Sequence, residues 1–492
     1  MREIRTTSYD SRTYTDENLL YKNKIIDTVR LSRSLTWLYG MNSQKFPLLM
    51  STEGQGAYKS VKPKKLNDTQ YVWSTIGRMK YTSTVVGLVN TSDTAPGLNY
   101  APIKVYMRDN WFPAYYGAFS PDGDYQVRVQ GEPIRIGADK WEYTFAPMFS
   151  SPDSYIPVAN FLEGRTWAMT ATSIAASKSD GTRSNTMAPG EWTNQFGFHR
   201  FSKQIAGNVA NKVVNLELAL DGGGKTNMWM PFEMKLWEIE RRELTEQDLW
   251  YSEYNRDAYG QIHLKDDETG EPIPKGAGIK QIIKTFGNYD TYGSTLTISK
   301  FENIINRIMS NRVDDTPMEI VLYTGAGGKR MFHEALMNDA SAKLFYQRVG
   351  DLTVNGKNGY MQYGNYFDQY KTIDGKVISV TEVNLFNHGV LADLDRKEGR
   401  MLNGFPWQSY NMVFLDHSLN TDGERNIQLV CEEGREVITG VYKGMSPLPG
   451  SWGAIPGNLL STRKDIASYE IITSQGINML NGTTSFWLEY DG

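Results

Sequence analysis

One stretch constrains the fold of this chain more than any other. Residues 296–337 read as helix, strand, glycine loop and helix in succession. Phe301, Ile304, Ile305, Ile308 and Met309 recur at i, i+3, i+4, i+7 and i+8, which makes one apolar stripe of helical period. Asp314, Asp315 and Thr316-Pro317 stop that helix. Met318-Glu-Ile-Val-Leu-Tyr323 is a short, nearly continuous apolar run, the pattern of a buried strand. Gly325-Ala-Gly-Gly328 then turns the chain, and residues 329–337 return to helix. A glycine loop between strand and helix can cradle a phosphate, or it can be a tight corner in a structural domain.

Spacing decides between these. A phosphate loop needs a glycine six residues before its lysine and a hydroxyl after it. Gly222-Gly-Gly-Lys225-Thr226 has Ala219 at the glycine position, and Gly327-Gly-Lys329-Arg330 has Tyr323 there and no hydroxyl. Both fail, so the glycines read as turns and no cofactor is expected. Metal chemistry fares no better. His333-Glu334 begins a zincin-like pair, but Met337 stands where the second ligand belongs, and His199, His263, His388 and His417 lack ligand spacing. Glu238 and Glu240 are two apart on a helix and do not face each other. Asp266-Asp-Glu268 reads as a solvated turn, and no Gly-x-Ser-x-Gly elbow occurs. No catalytic or metal residue is nominated, and the chain is not expected to be an enzyme.

The 492 residues exceed what one core usually supports, which predicts two to four packed units. A net charge of −4 argues against a basic nucleic-acid binder. The single cysteine, Cys431, cannot form an intrachain disulfide and reads as a buried small hydrophobe. The polar start, Met1 to Thr7, carries no secretory signal, and the longest apolar runs, such as Thr84-Val-Val-Gly-Leu-Val89, are far too short to span a bilayer. The 29 tyrosines and 12 tryptophans suit interfaces or sugar-binding surfaces.

Along the chain, residues 16–39 look helical, and from Phe46 the pattern turns to period two. Ile103-Lys-Val105-Tyr-Met107, Tyr125-Gln-Val127-Arg-Val129 and Trp141-Glu-Tyr143-Thr-Phe145 alternate strictly, with Pro121-Asp-Gly-Asp124 and Gly137-Ala-Asp139 as turns between them. The aromatic cluster Trp111, Phe112, Tyr115 and Tyr116 is the candidate contact surface for another subunit or a sugar; its plainer reading is a packed corner. Residues 171–190 read as a Ser/Thr-rich loop or flap. Residues 231–259 are helical, with Leu236, Trp237, Ile239 and Leu244 facing inward and a capping box at Thr245-Glu-Gln-Asp248 restarting the helix. Strands follow at 366–372 and 376–383, joined by Asp374-Gly375, and at 412–415 and 427–430. After a Pro/Gly loop at 447–456 holding Trp452, the chain closes on a hairpin through Asn481-Gly482.

The order of these elements resembles a tailed-phage major capsid protein of the Hong Kong 97-like fold, and most nearly those of the crAss-like phages of gut Bacteroides. Glu319-Ile-Val-Leu-Tyr-Thr-Gly-Ala-Gly-Gly-Lys-Arg-Met-Phe332 is similar to the strand, turn and helix of that family's axial domain. Trp141-Glu-Tyr143-Thr, Tyr155-Ile-Pro157 and Phe161-Leu-Glu-Gly164 resemble a recurring capsid stretch, and the helix at 231–259 resembles the spine helix. The resemblance implies an α+β fold with an N-arm (1–45), a β-rich region holding the extended loop and part of the peripheral domain (46–230), the spine helix and peripheral domain (231–295), an axial domain (296–445) with Gly325, Gly327 and Gly328 at its turn, and a C-terminal return and hairpin to the peripheral domain (446–492). It further implies self-assembly into hexamers and pentamers around double-stranded DNA, without sequence-specific binding. The implied partners are portal, auxiliary and other capsid proteins, with no membrane. Location in the virion after assembly in the host cytoplasm follows, with a separate scaffold or none. No lysine–asparagine crosslinking pair can be assigned. The alternatives are a glycan-binding or glycan-cleaving protein, or another virion component such as a tail or portal protein.

Overall fold

The computed structural model describes residues 13–14, 46–53, 61–77, 80–177, 184–206, 213–219, 225–293, 296–310, 318–338, 347–348, 369–371, 377–420, 423–443, 464 and 466–492. The expected helix at 16–39, the glycines 222–224, the helix stop at 314–317, the turn at 374–375 and the loop at 447–456 lie outside these residues. Contacts divide the chain into two compact units, residues 74–191 and a larger one built from the residues before and after them.

The smaller unit is an antiparallel barrel. Its strands are β1 Thr82–Leu88, β2 Ile103–Met107, β3 Tyr116–Phe119, β4 Gln126–Val129, β5 Ile134–Gly137, β6 Lys140–Pro147 and β7 Thr166–Thr172. The order β2-β1-β7-β3-β4-β6 closes on itself because β6 also pairs with β2, from Ile103↔Phe145 to Met107↔Trp141. Closure removes the sheet edges that an open sheet leaves unpaired. The alternation seen in the sequence now has its reason. Ile103, Val105, Met107, Val127, Val129, Tyr143, Phe145 and Trp167 point inward and form one core, while their neighbours face water. Register shifts between Val85 and Gly87 and between Thr170 and Thr172 bend the strands. The two chain ends of the unit are neighbours: a Cβ on Gly190 would lie 3.8 Å from the carbonyl oxygen of Thr75.

The larger unit contains α1 Pro47–Glu53, α2 Trp229–Tyr251, α3 Ile279–Phe286, α4 Ile298–Ser310, α5 Ala326–Asn338, α6 Asn384–His388 and α7 Val390–Lys397. Its two main sheets include, in chain order, β8 Gly197–Ala206, β9 Asn288–Tyr292, β10 Glu319–Thr324, β11 Gln347–Arg348, β12 Gln369–Lys371, β13 Val377–Glu382, β14 Met412–Asp416, β15 Ile427–Glu432, β16 Val437–Lys443, β17 Ile466–Met479 and β18 Phe486–Tyr490. A seven-stranded mixed sheet runs β9-β18-β14-β10-β13-β12-β11, with β10 parallel to β13 and antiparallel to β14. Its centre is covered on both faces. Ile320, Leu322, Met412 and Phe414 pack with Phe301, Ile304, Ile305 and Ile308 of α4. Val321, Tyr323, Val413 and Leu415 pack with Leu48 and Leu49 of α1, Trp250 of α2 and Ile279, Ile282 and Ile283 of α3. That two-sided burial explains why the strand at 318–323 reads as a continuous apolar run. The second sheet is built on β17, which pairs with β8, β15 and β16. The fold is α+β.

Several expectations are corrected. Residues 47–53 are helix, where period two was expected from Phe46 onward. Helix α2 runs unbroken through Thr245, whose hydroxyl donates to the Arg241 carbonyl at 2.9 Å instead of capping a new start, and it ends at Tyr251 rather than 259. Leu244 is 43% exposed, on the outer side of that helix. The closing hairpin does not form: β17 pairs with β8, β15 and β16, whereas β18 pairs with β9 and β14. Asn481-Gly482 therefore carries the chain from one sheet to the other. Helix α5 begins at Ala326, so Gly327 and Gly328 lie in its first turn rather than in a loop.

Candidate functional site

The glycine corner is built by side chains from two other segments. Gly325 separates β10 from α5. The first free amides of α5 are already taken: Ala326 N–H donates to Asn387 Oδ1 at 2.8 Å, and Gly327 N–H donates to Ser409 Oγ at 2.8 Å. Ser409 Oγ donates in turn to Asn387 Oδ1 at 2.7 Å, and Asn387 Nδ2 donates to Glu382 Oε1 at 2.9 Å. A helix N-terminus binds an anion through such amides, and here the protein's own oxygens occupy them. The glycines serve close approach. A Cβ on Gly325 would lie 2.6 Å from Ser409 Oγ, one on Gly327 2.8 Å from the Tyr410 ring, and one on Gly328 2.1 Å from Thr324 Oγ1.

The aromatic cluster divides between core and surface. Phe112, nominated as a subunit contact, is fully buried in the barrel core, its ring 5.8 Å from that of Tyr143. That placement corrects the nomination, because a side chain with no exposure cannot meet a partner. Trp111 is half-buried, with Lys80 Nζ 5.1 Å from its ring centroid. Tyr115 takes a left-handed backbone, φ 68°, and Arg128 stacks on its ring at 4.6 Å. Tyr116 is half-buried at the start of β3. Among the other large aromatics, Trp167, Trp250 and Trp487 are fully buried, whereas Trp73, Trp141, Trp192 and Trp407 are half-buried.

Two buried ionisable groups, Glu246 and His417, lie in the core of the larger unit, the first of them against α1. Glu246 accepts the N–H of Leu48 at 3.1 Å, the N–H of Leu49 at 2.7 Å and Trp250 Nε1–H at 3.1 Å. Burial outweighs these bonds and pushes its carboxyl up to about 7. His417 Nε2 lies 2.9 Å from the Tyr323 hydroxyl in hydrogen-bond contact, and burial, helped by Arg425, lowers it to about 3, so the imidazole stays neutral. Sequence reasoning missed Glu246, although a signal exists. Ile239, Glu246, Leu249 and Trp250 fall at i, i+7, i+10 and i+11, which puts a carboxylate on an apolar stripe. Cys431 is buried, and its thiol is raised to about 11 by that burial. No group of three or more His, Cys, Asp or Glu side chains able to hold a metal occurs among the described residues. No helix among them is long and apolar enough to cross a membrane.

Comparison with known proteins gives one strong match. A family model described as crassvirus major capsid protein matches residues 12–491. Among solved structures the chain is similar to one from Microbacterium phage Oxtober96, at 8% identity over 96% of this chain and 98% of that one, with a TM-score of 0.36. One from Mycobacterium phage Patience shows 10% identity over 65% of this chain and 78% of that one, TM-score 0.32. The asymmetric unit of the bacteriophage PhiM1 mature capsid shows 9% identity over 66% and 80%, TM-score 0.32. No curated protein matches.

Proposed function

Because this chain belongs to the crassvirus major capsid protein family, whose members build the icosahedral shell of a phage, we propose a division of labour among its parts. The family match over residues 12–491 carries this reading. Residues 296–445 form the axial domain, with the glycine corner fixing the step from its central strand to α5. Helix α2 is the spine, and residues 231–295 belong with it to the peripheral domain. The barrel at 74–191 occupies the place of the extended loop within the region 46–230. Residues 1–45 are the N-arm, and residues 446–492 return the chain to the peripheral domain.

Subunits of this kind assemble as hexamers and pentamers in the host cytoplasm and enclose double-stranded DNA. Trp111, Tyr115 and Tyr116 contribute to subunit contacts. Portal and auxiliary virion proteins complete the particle. A net charge of −4 supports enclosure over a tight grip on the phosphate backbone. The protein works by assembly and performs no catalysis. Electron microscopy of particles formed by the chain with its phage partners tests this: closed shells with sixfold and fivefold capsomers are expected. A protein that stays monomeric, or forms only tail-like rings, would overturn it.

A further inference from the structure

Strand β16 is an edge. It pairs with β17 from Val437↔Thr473 to Lys443↔Ala467 without a register shift, and no strand among the described residues pairs with its other side. Val437, Ile438 and Tyr442 are 48%, 41% and 58% exposed. Successive residues of a strand point to opposite faces, so exposure of both Val437 and Ile438 leaves both faces wet. Residues 437–442, Val-Ile-Thr-Gly-Val-Tyr, contain no charge and no proline. Proteins that remain monomeric blunt such edges with charge, proline or a bulge, because an unpaired neutral edge is a template for another strand. Residues 437–442 carry none of those devices, and the strand's one charge, Lys443, stands at its end.

We propose that β16 pairs antiparallel with β16 of a second copy of this chain, centred on Gly440, so that two subunits share one continuous sheet across a twofold axis. The proposal rests on the shell reading above, which supplies the second copy. Its own support is the chemical symmetry of the strand. Pairing about Gly440 brings Ile438 of each copy against Tyr442 of the other, an aromatic–β-branched pair made twice from side chains now exposed. Thr439 faces Val441, both β-branched. Lys443, the only charged residue of β16, falls in register with Val437 of the other copy, so the two lysine positions are not opposite each other. A slip of one residue would break each of these pairings. At the centre the two Gly440 backbones meet, and a Cβ built on Gly440 finds nothing within 4 Å in its own subunit. That space lies over the sheet face, so a side chain at 440 meets no clash within its own subunit.

Cysteine crosslinking in assembled particles tests the register. Cys431, the only natural cysteine, is buried and does not compete. Gly440→Cys places a thiol opposite itself across the axis, at a separation a disulfide can span. Mild oxidation should give a reductant-sensitive dimer at least tenfold above that of Thr439→Cys, whose thiol faces Val441. The double variant Ile438→Cys with Tyr442→Cys should crosslink likewise, each single variant far less, and it supplies the readout if Gly440→Cys particles do not form. Intact shells in which neither crosslinks above control overturn the proposal. So would dimer yields equal at 439 and 440, which mean unspecific collision. Failure of the unmodified chain to form shells would instead sink the reading on which the proposal rests.

Discussion

Glu246 accepts a 2.7 Å hydrogen bond from the backbone N–H of Leu49, 197 residues earlier in the chain. Pro47 opens α1, which suits a residue with no N–H to satisfy. The next two amides need partners, and one carboxylate from near the C-terminal end of α2 takes both. A charge of that sign at a helix N-terminus also opposes the positive end of the helix dipole. One side chain thus hydrogen-bonds this segment to the long helix, beside the packing of Leu48 and Leu49 with Trp250.

Removing that side chain should be costly. Glu246→Ala leaves two backbone donors and the Trp250 indole N–H without their acceptor. We expect a loss of about 3 kcal/mol, the scale of several buried donors left unpaired. Urea denaturation of the unassembled subunit measures it, and a loss below about 0.5 kcal/mol, as at an ordinary surface site, would mean that α1 is held by packing alone.

Glu246 and His417 should oppose each other in pH dependence. Burial raises Glu246 from 4.5 to about 7, so the folded chain holds a proton that the unfolded chain releases. That contribution is complete below about 4.5 and disappears as pH rises through 7. Burial and Arg425 lower His417 from 6.5 to about 3, so its contribution is present above 6.5 and is lost as pH falls toward 3. Between 4.5 and 6.5 the two slopes cancel. Glu246→Gln removes one of them, so the variant's stability relative to the parent should fall on acidification by about 1.4 kcal/mol per pH unit. Parallel stability curves for the two proteins would refute the assignment.

Gly328 should resist substitution although alanine is the better helix former. Its Cβ would lie 2.1 Å from Thr324 Oγ1 and 3.0 Å from the Ser409 carbonyl. Gly328→Ala is expected to cost about 1–3 kcal/mol by overpacking, against a helix-propensity gain of about 1 kcal/mol. Thr324→Ala removes the nearest clash, so the double variant should recover part of the loss. A double-mutant cycle that is purely additive would show that the hydroxyl is not the obstacle.

Phe112 and Trp111 are adjacent in sequence and should behave differently. Phe112→Ala empties the barrel core and is expected to cost about 3–5 kcal/mol. Trp111→Ala removes a half-buried ring and should leave the subunit folded while weakening assembly. Thermal unfolding separates the two, and particle yield tests the second. Normal assembly of Trp111→Ala would make that ring a packing residue only.

Local pattern made much of the fold readable. The stripe from Phe301 to Ile308 and the run from Ile320 to Tyr323 announced a helix and a buried strand, because period and burial are tied by backbone geometry. Alternation at 103–107 and 141–145 announced strands in the same way. It could not announce a barrel, since closure depends on β6 meeting β2 across an intervening stretch of chain. Nor could a turn signal at Asn481-Gly482 show that the strands before and after it join different sheets. At the glycine corner the sequence indicated small residues and a change of direction. The reason they must be small, Thr324, Ser409 and Tyr410 pressed against them, comes partly from residues some 80 positions away.

Residue order alone set the character of this protein: mixed helix and strand, glycine loops that fail the phosphate-binding spacing, no metal-ligand spacing, and an element order resembling a phage capsid subunit. Those properties are local, written in periodicity and spacing within tens of residues. Folding in three dimensions selected which side chains are available to act. It drew Phe112 into a core, gave the amides of α5 to Asn387 and Ser409, and set Glu246 beneath a helix from the far end of the chain. Each outcome depends on contacts between distant segments, and burial and hydrogen-bond partnership are properties of those contacts rather than of any residue alone.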